Sequence, residues 1–123
     1  MAKQTITYIP QVLDLVLYAG DGTSFSLTVT DPTSVPVHLT GEMIAQIRLE
    51  RDSIDPPLAE FEIDLTNAIN GIAILKLTGD QTQVLILGDA KFIGVWDLQW
   101  TPMGDEPMTL CQGKVECYPD VSR

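Results

Sequence analysis

Long apolar runs, positive charge and the side chains that do most covalent chemistry are all scarce in this chain. Its longest strongly apolar stretches, such as Val84-Leu-Ile-Leu87 and Phe92-Ile-Gly-Val-Trp96, fall far short of the roughly 20 residues a spanning helix needs. Met1-Ala-Lys-Gln-Thr5 carries a lysine but no apolar run ahead of a small-residue cleavage site. No secretory signal is expected, and synthesis in a cytoplasm is. Against 17 acidic residues stand 7 basic ones, a net charge of −10. Such a surface repels phosphate backbones and anionic lipid, so neither nucleic acid nor a membrane is expected as a partner.

Reactive side chains are equally sparse. A nucleophile needs a base beside it, yet the single histidine, His38, sits in a proline-flanked segment without a Gly-x-Ser-x-Gly context. It reads as an incidental edge residue. Cys111 and Cys117 fall in one predicted strand, roughly 20 Å apart, too far for a disulfide. Both point to one face and read as buried structural thiols. Gly20 and Gly22 lack the helix and lysine of a phosphate loop. Neither Asp21-Gly-Thr23 nor Asp52-Ser-Ile-Asp55 has calcium-loop spacing. Glu60, Glu62 and Asp64 read as the solvated face of a strand and not as a glycosidase pair. No catalytic residue, metal site or cofactor is expected, and the chain is not expected to be an enzyme.

What is present is a strand pattern. The chain has 123 residues, of which 45% are hydrophobic and 20% charged, a composition that suits one packed domain. Residues 12–18 read as a first strand. Residues 24–30 alternate cleanly, with Phe25, Leu27 and Val29 on one side. Met43, Ala45, Ile47 and Leu49 alternate inward in the next run, then Phe61, Ile63 and Leu65 over residues 58–65. Asn70-Gly71 marks a tight turn before a strand at 72–77. Thr78-Gly-Asp-Gln81 has capping-box spacing and opens one helical turn. Strands at 91–101 and 108–118 follow. The pattern predicts an all-β, immunoglobulin-like antiparallel sandwich of about seven to nine strands with one short helical turn. Residues 14–123 form the domain, and residues 1–13 are an arm or a first strand.

Trp96 and Trp100 share a strand face, about 13 Å apart. Exposed, they would stack on sugar rings, as in a carbohydrate-binding module; buried, they are core. Leu98 between them favours core for Trp96 and leaves Trp100 open at the strand end.

Taken in order, several segments are similar to a known family. Gly20-Asp-Gly-Thr-Ser-Phe-Ser-Leu-Thr-Val-Thr30 with Pro36-Val-His-Leu-Thr-Gly41 resembles the GDTFSLTLT…PIDLTG opening of small phage tail domains. Ala45-Gln-Ile-Arg48, Asn70-Gly-Ile72, Leu77-Thr-Gly-Asp-Gln-Thr82 and Trp96-Asp-Leu-Gln99 follow at similar spacing. The ending Leu110-Cys-Gln-Gly-Lys-Val-Glu-Cys-Tyr-Pro-Asp-Val-Ser-Arg123 resembles LLEGKVTVSPEVTR. The family comprises the N-terminal domain of upper baseplate proteins and the related collar protein of L-shaped tail fibres. The resemblance spans about residues 14–123. It implies an immunoglobulin-like sandwich that is a virion component of the tail, neck or baseplate, with capsid decoration as a variant. Implied partners are copies of itself in a homo-oligomeric ring, and other phage tail, neck or fibre proteins. Because the sequence stops where many relatives continue into a fibre domain, an adaptor or collar piece is expected. Residues 1–13 go beyond the family pattern. With Thr5, Ile6, Tyr8 and Ile9 they are expected to be a first strand of the fold itself, a terminus, or an arm able to add to a neighbour's sheet edge, and with Trp100 these are the candidate interface residues.

Overall fold

Alternation decides where most of the strands lie, and a buried indole decides where the first of the predicted strands breaks. The computed structural model describes residues 3–7, 11–50, 55–88 and 90–119. Ten strands occur among them: β1 (Lys3–Thr7), β2 (Gln11–Val12), β3 (Leu15–Tyr18), β4 (Thr23–Thr30), β5 (Glu42–Arg48), β6 (Ala59–Glu60), β7 (Glu62–Asp64), β8 (Ile72–Leu77), β9 (Phe92–Thr101) and β10 (Met108–Tyr118). A 3₁₀ turn covers Ala68–Asn70, and a single short helix, α1, covers Gly79–Gln83. One sheet has the order β1-β4-β8-β7; the other runs β2-β10-β9-β5-β6, with β3 also on β10. The all-β sandwich stands.

Its edges depart from a purely antiparallel arrangement. β1 runs parallel to β4, pairing Lys3 with Ser26 through Thr7 with Thr30, and β2 and β3 both run parallel to β10. Two predicted strands are each cut in two, which lifts the count above expectation. In the run 12–18 the chain leaves the ladder at Leu13-Asp14. In the run 58–65 it changes sheets at Phe61, since β6 pairs with β5 while β7 pairs with β8. Glu60 and Glu62 therefore belong to different sheets and do not form one acidic ladder. Leu49, expected inward, is 60% exposed, because β5 ends at Arg48.

The core fills from both sheets. Phe25 of β4, Phe61 at the crossing and Trp96 of β9 meet with ring centroids 5.6 to 6.0 Å apart, a spacing at which edge-to-face contact is favourable. Leu27, Val29, Ala45, Ile47, Leu75, Leu98, Leu110 and Val115 close around them, each buried. Turns carry the chemistry their sequences promised. The Thr78 hydroxyl accepts from Gln81 N–H, while the Gln81 side chain accepts from Thr78 N–H at 2.8 Å, a complete capping box. Asp31 accepts from the Thr33 hydroxyl and from Thr33 and Val35 N–H, which holds its carboxyl below the usual range. Gly71 has φ of +75°, and a Cβ there would lie 2.5 Å from the Val29 carbonyl oxygen.

The break at Leu13-Asp14 has a specific cause. The Leu13 carbonyl turns inward and accepts from Trp96 Nε1 at 2.7 Å. Lys114 N–H donates instead to the Asp14 carboxylate at 2.9 Å. Gly113 makes room, since a Cβ there would sit 2.1 Å from the Leu13 carbonyl oxygen. Trp96→Phe removes the donor and leaves that carbonyl unpaired. It should lower the unfolding free energy by roughly 2 kcal/mol or more, read from urea titration, with Leu13 among the amides that lose exchange protection most. Wild-type stability in Trp96→Phe would show that the contact does not hold the break.

Candidate docking surface

The expected interface residues separate. Thr5 and Ile6 lie in β1, opposite Thr28 and Val29 of the same chain. Tyr8 and Ile9 fall outside the described residues. Trp100 is a correction: it is 3% exposed, and its indole N–H donates to the Thr40 carbonyl at 2.7 Å. Gly41 (φ +77°) follows at once, where a Cβ would meet the Thr101 carbonyl oxygen at 2.0 Å. Trp96 is 2% exposed. With both indoles in the core, no aromatic platform forms from them, and the carbohydrate-binding expectation loses its motive.

Exposed apolar side chains gather elsewhere. On the outer face of the larger sheet, register places Glu116 between Val16 and Ile93, and Tyr18 beside Tyr118. Tyr18 and Tyr118 stack at 5.9 Å, and Lys91 Nζ lies 5.2 Å from the Tyr118 ring centroid. Val16 and Tyr18 are each 55% exposed. Further across the same face the surface is polar and tied together. Arg48 donates to the Gln46 side chain at 2.8 Å and to the Asp55 carbonyl at 2.6 Å, and Gln46 donates to Glu60 at 3.4 Å. Sequence alternation located Val16 and Tyr18 on a strand. It did not reveal that the strand would be an edge.

β3 also borders a groove. Leu13 to Leu17 form one wall and Thr23, Ser24 and Phe25 of β4 the other, enclosing about 340 Å³. The loop joining the two strands is pinned by α1. Thr82, fully buried, accepts from Gly20 N–H at 3.1 Å and donates to the Asp21 carbonyl at 3.0 Å. Gly79 allows this contact, because a Cβ there would lie 2.3 Å from the Gly20 carbonyl oxygen. A second apolar depression, about 260 Å³, lies among Leu49, Leu58, Val84, Leu87 and Phe92. It adjoins in sequence residues 51–54, which lie outside the described set.

Among the described residues the histidine and the cysteines lie apart. His38 is exposed in the segment before β5. Among the described residues no three of His, Cys, Asp or Glu stand together as metal ligands. Cys111 and Cys117 are free and buried. Burial pushes the Cys111 thiol up to about 11 and raises that of Cys117 as well. At pH 8 a thiol with that value is ionised in only roughly one molecule in a thousand. Native protein should therefore react with a disulfide reagent such as DTNB at least about a hundredfold more slowly than denatured protein. Rapid titration of a native thiol would contradict the buried placement.

No family model matches the chain, and no curated protein matches it. Among solved structures, the N-terminal domain of phage TP901-1 ORF48 is similar to it, with a TM-score of 0.47 and 9% identity, the match covering 97% of this chain and 99% of that one.

Proposed function

We propose that this chain is a structural, non-catalytic virion protein of a tailed bacteriophage. In this reading it is an adaptor or collar piece of the tail, neck or baseplate, forming a homo-oligomeric ring and docking other tail or fibre proteins. One observation carries the reading. The segments that resemble the phage tail family are the ones on which this fold turns. Gly20 to Thr30 spans the pinned loop and β4; Ala45 to Arg48 lies in β5. Asn70-Gly71 supplies the left-handed turn, Thr78 to Thr82 the capping box, and Leu110 to Tyr118 most of β10. A likeness confined to generic alternation would fall on strand faces alone; this one includes the turn glycines and the cap, where geometry restricts the choice of residue.

An acidic, all-β domain with apolar side chains on one open strand supports docking onto protein and gives no support to nucleic acid or lipid. Among the described residues the two cysteines are buried and His38 stands apart in an exposed segment.

Antibodies raised against the purified chain should label the tail, neck or baseplate of particles of the phage that encodes it, by immuno-electron microscopy. In solution the chain should run as an oligomer or join a co-expressed tail protein. Label on the capsid alone would transfer the reading to head decoration. Unlabelled particles together with a strict monomer would overturn it.

A further inference from the structure

We infer that the outer edge of β3 is an acceptor for an extended, lysine- or arginine-flanked apolar segment of a partner protein, which adds there as a further strand. The inference deepens the docking reading and rests on it for the class of partner.

Backbone geometry comes first. In a parallel pair, successive residues direct their N–H and C=O alternately toward and away from the neighbour. Leu13 N–H donates to the Gln112 carbonyl and Ala19 N–H to the Tyr118 carbonyl, each at 2.9 Å. Odd-numbered residues therefore face β10, and Val16 and Tyr18 direct their backbone groups away from it. The Tyr18 carbonyl accepts from Asp21 N–H at 3.0 Å. Val16 N–H, Val16 C=O and Tyr18 N–H remain directed outward, and among the described residues β3 pairs with β10 only. Among the described residues β1 pairs with β4 from Ser26 onward, and Thr23 to Phe25 line the groove that β3 borders.

Sheet edges are usually blunted by charge or brevity. β6 is two residues long and contains Glu60, and β7 carries Glu62 and Asp64. β3 is Leu15-Val-Leu-Tyr18, without a charge. A strand added there would alternate its side chains. One set would lie over the groove between Leu15, Leu17 and Phe25; the other would lie beside exposed Val16 and Tyr18. Backbone bonds would supply affinity and the two apolar surfaces selectivity.

Charge selects the occupant. Asp14 and Asp21, both exposed, flank β3, and Glu116 lies opposite Val16. Antiparallel pairing of two copies through β3 would bring the Asp14 end of each against the Asp21 end of the other, on chains of net charge −10. Like charges facing across a ladder are destabilising. A segment with basic residues on either side of its apolar core meets the same edge favourably.

The probe is a capped peptide of alternating valine and threonine with a lysine at each end, titrated into the full chain labelled with ¹⁵N. The Val16 and Tyr18 amides, with those of Thr23 to Phe25, should shift and exchange at least about tenfold more slowly. A glutamate-flanked counterpart should bind about tenfold or more weakly, a difference of roughly 1.4 kcal/mol. Val16→Pro removes an outward N–H that its own sheet does not use, a position where proline is tolerated, and should abolish the shifts. Val16→Lys, which keeps that N–H but adds repulsion, should weaken binding in the same direction should the proline variant misfold. The inference is overturned by unshifted Val16 and Tyr18 amides at millimolar peptide, by shifts confined to the Leu49 and Leu87 depression, or by equal binding of the glutamate peptide. It is equally overturned by a concentration-dependent dimer that protects the Val16 and Tyr18 amides without peptide. The isolated chain is measured, so failure here leaves tail labelling of particles untouched, and absent tail labelling with peptide bound would sink the tail reading alone.

Discussion

The contact between Trp96 Nε1 and the Leu13 carbonyl is the constraint around which the rest of this molecule is arranged. A buried indole keeps its N–H only if an acceptor reaches it, and here the acceptor comes from the backbone of a neighbouring strand at 2.7 Å. Taking that carbonyl inward removes it from the ladder with β10. Lys114 N–H would be orphaned but for Asp14, and the strands could not approach closely enough but for Gly113. One polar requirement in the core thus constrains the identity of Asp14 and Gly113 and divides the first strand of the larger sheet. Trp100 repeats the device further along, near the C-terminal end of β9, with the Thr40 carbonyl as acceptor and Gly41 as the residue that makes room.

Much of this fold is legible in the sequence. β4, β5, β8, β9 and β10 follow from period-two alternation, and α1 follows from Thr78 and Gln81, because each of those signals is local. What sequence reasoning missed is governed by contacts between distant residues. Nothing near Leu13 announces that Trp96, 83 positions away, will draw its carbonyl out of register. The change of sheet at Phe61 leaves inside-outside alternation intact, so the pattern of residues 58–65 does not reveal it. Parallel pairing of β1, β2 and β3 is set by chain topology and has no signature in a short strand. Signals for the tryptophans did exist. Gly41 and Gly113, one beside an edge segment and one inside a strand, mark close backbone approach, and two indoles in a small core each need an acceptor.

The docking edge was half legible. Residues 12–18 read as a first strand without a sign of which face is covered, and in the fold only Leu17 of Leu15-Val-Leu-Tyr18 is fully buried while Val16 and Tyr18 are open. A strand that is apolar on both faces yet covered on one side is under-satisfied within its own chain. The acidic residues of β6 and β7 show that this sequence does blunt other edges, so the uncharged character of β3 is a local choice and not a general property of the surface.

The stiffness of that edge follows from the same contacts that define it. At its start β3 is held by the Leu13 carbonyl in the core and by Asp14 on Lys114 N–H. At its end it is held by Ala19 N–H on the Tyr118 carbonyl and by Gly20 N–H on the buried Thr82 hydroxyl. Four residues fixed at both ends lose little further entropy when a strand is added, whereas a frayed edge would have to be ordered first. A partner segment therefore bears mainly its own ordering cost. For a short segment making only a few main-chain bonds, that difference separates a weak contact from one that many copies in an assembly can turn into firm attachment.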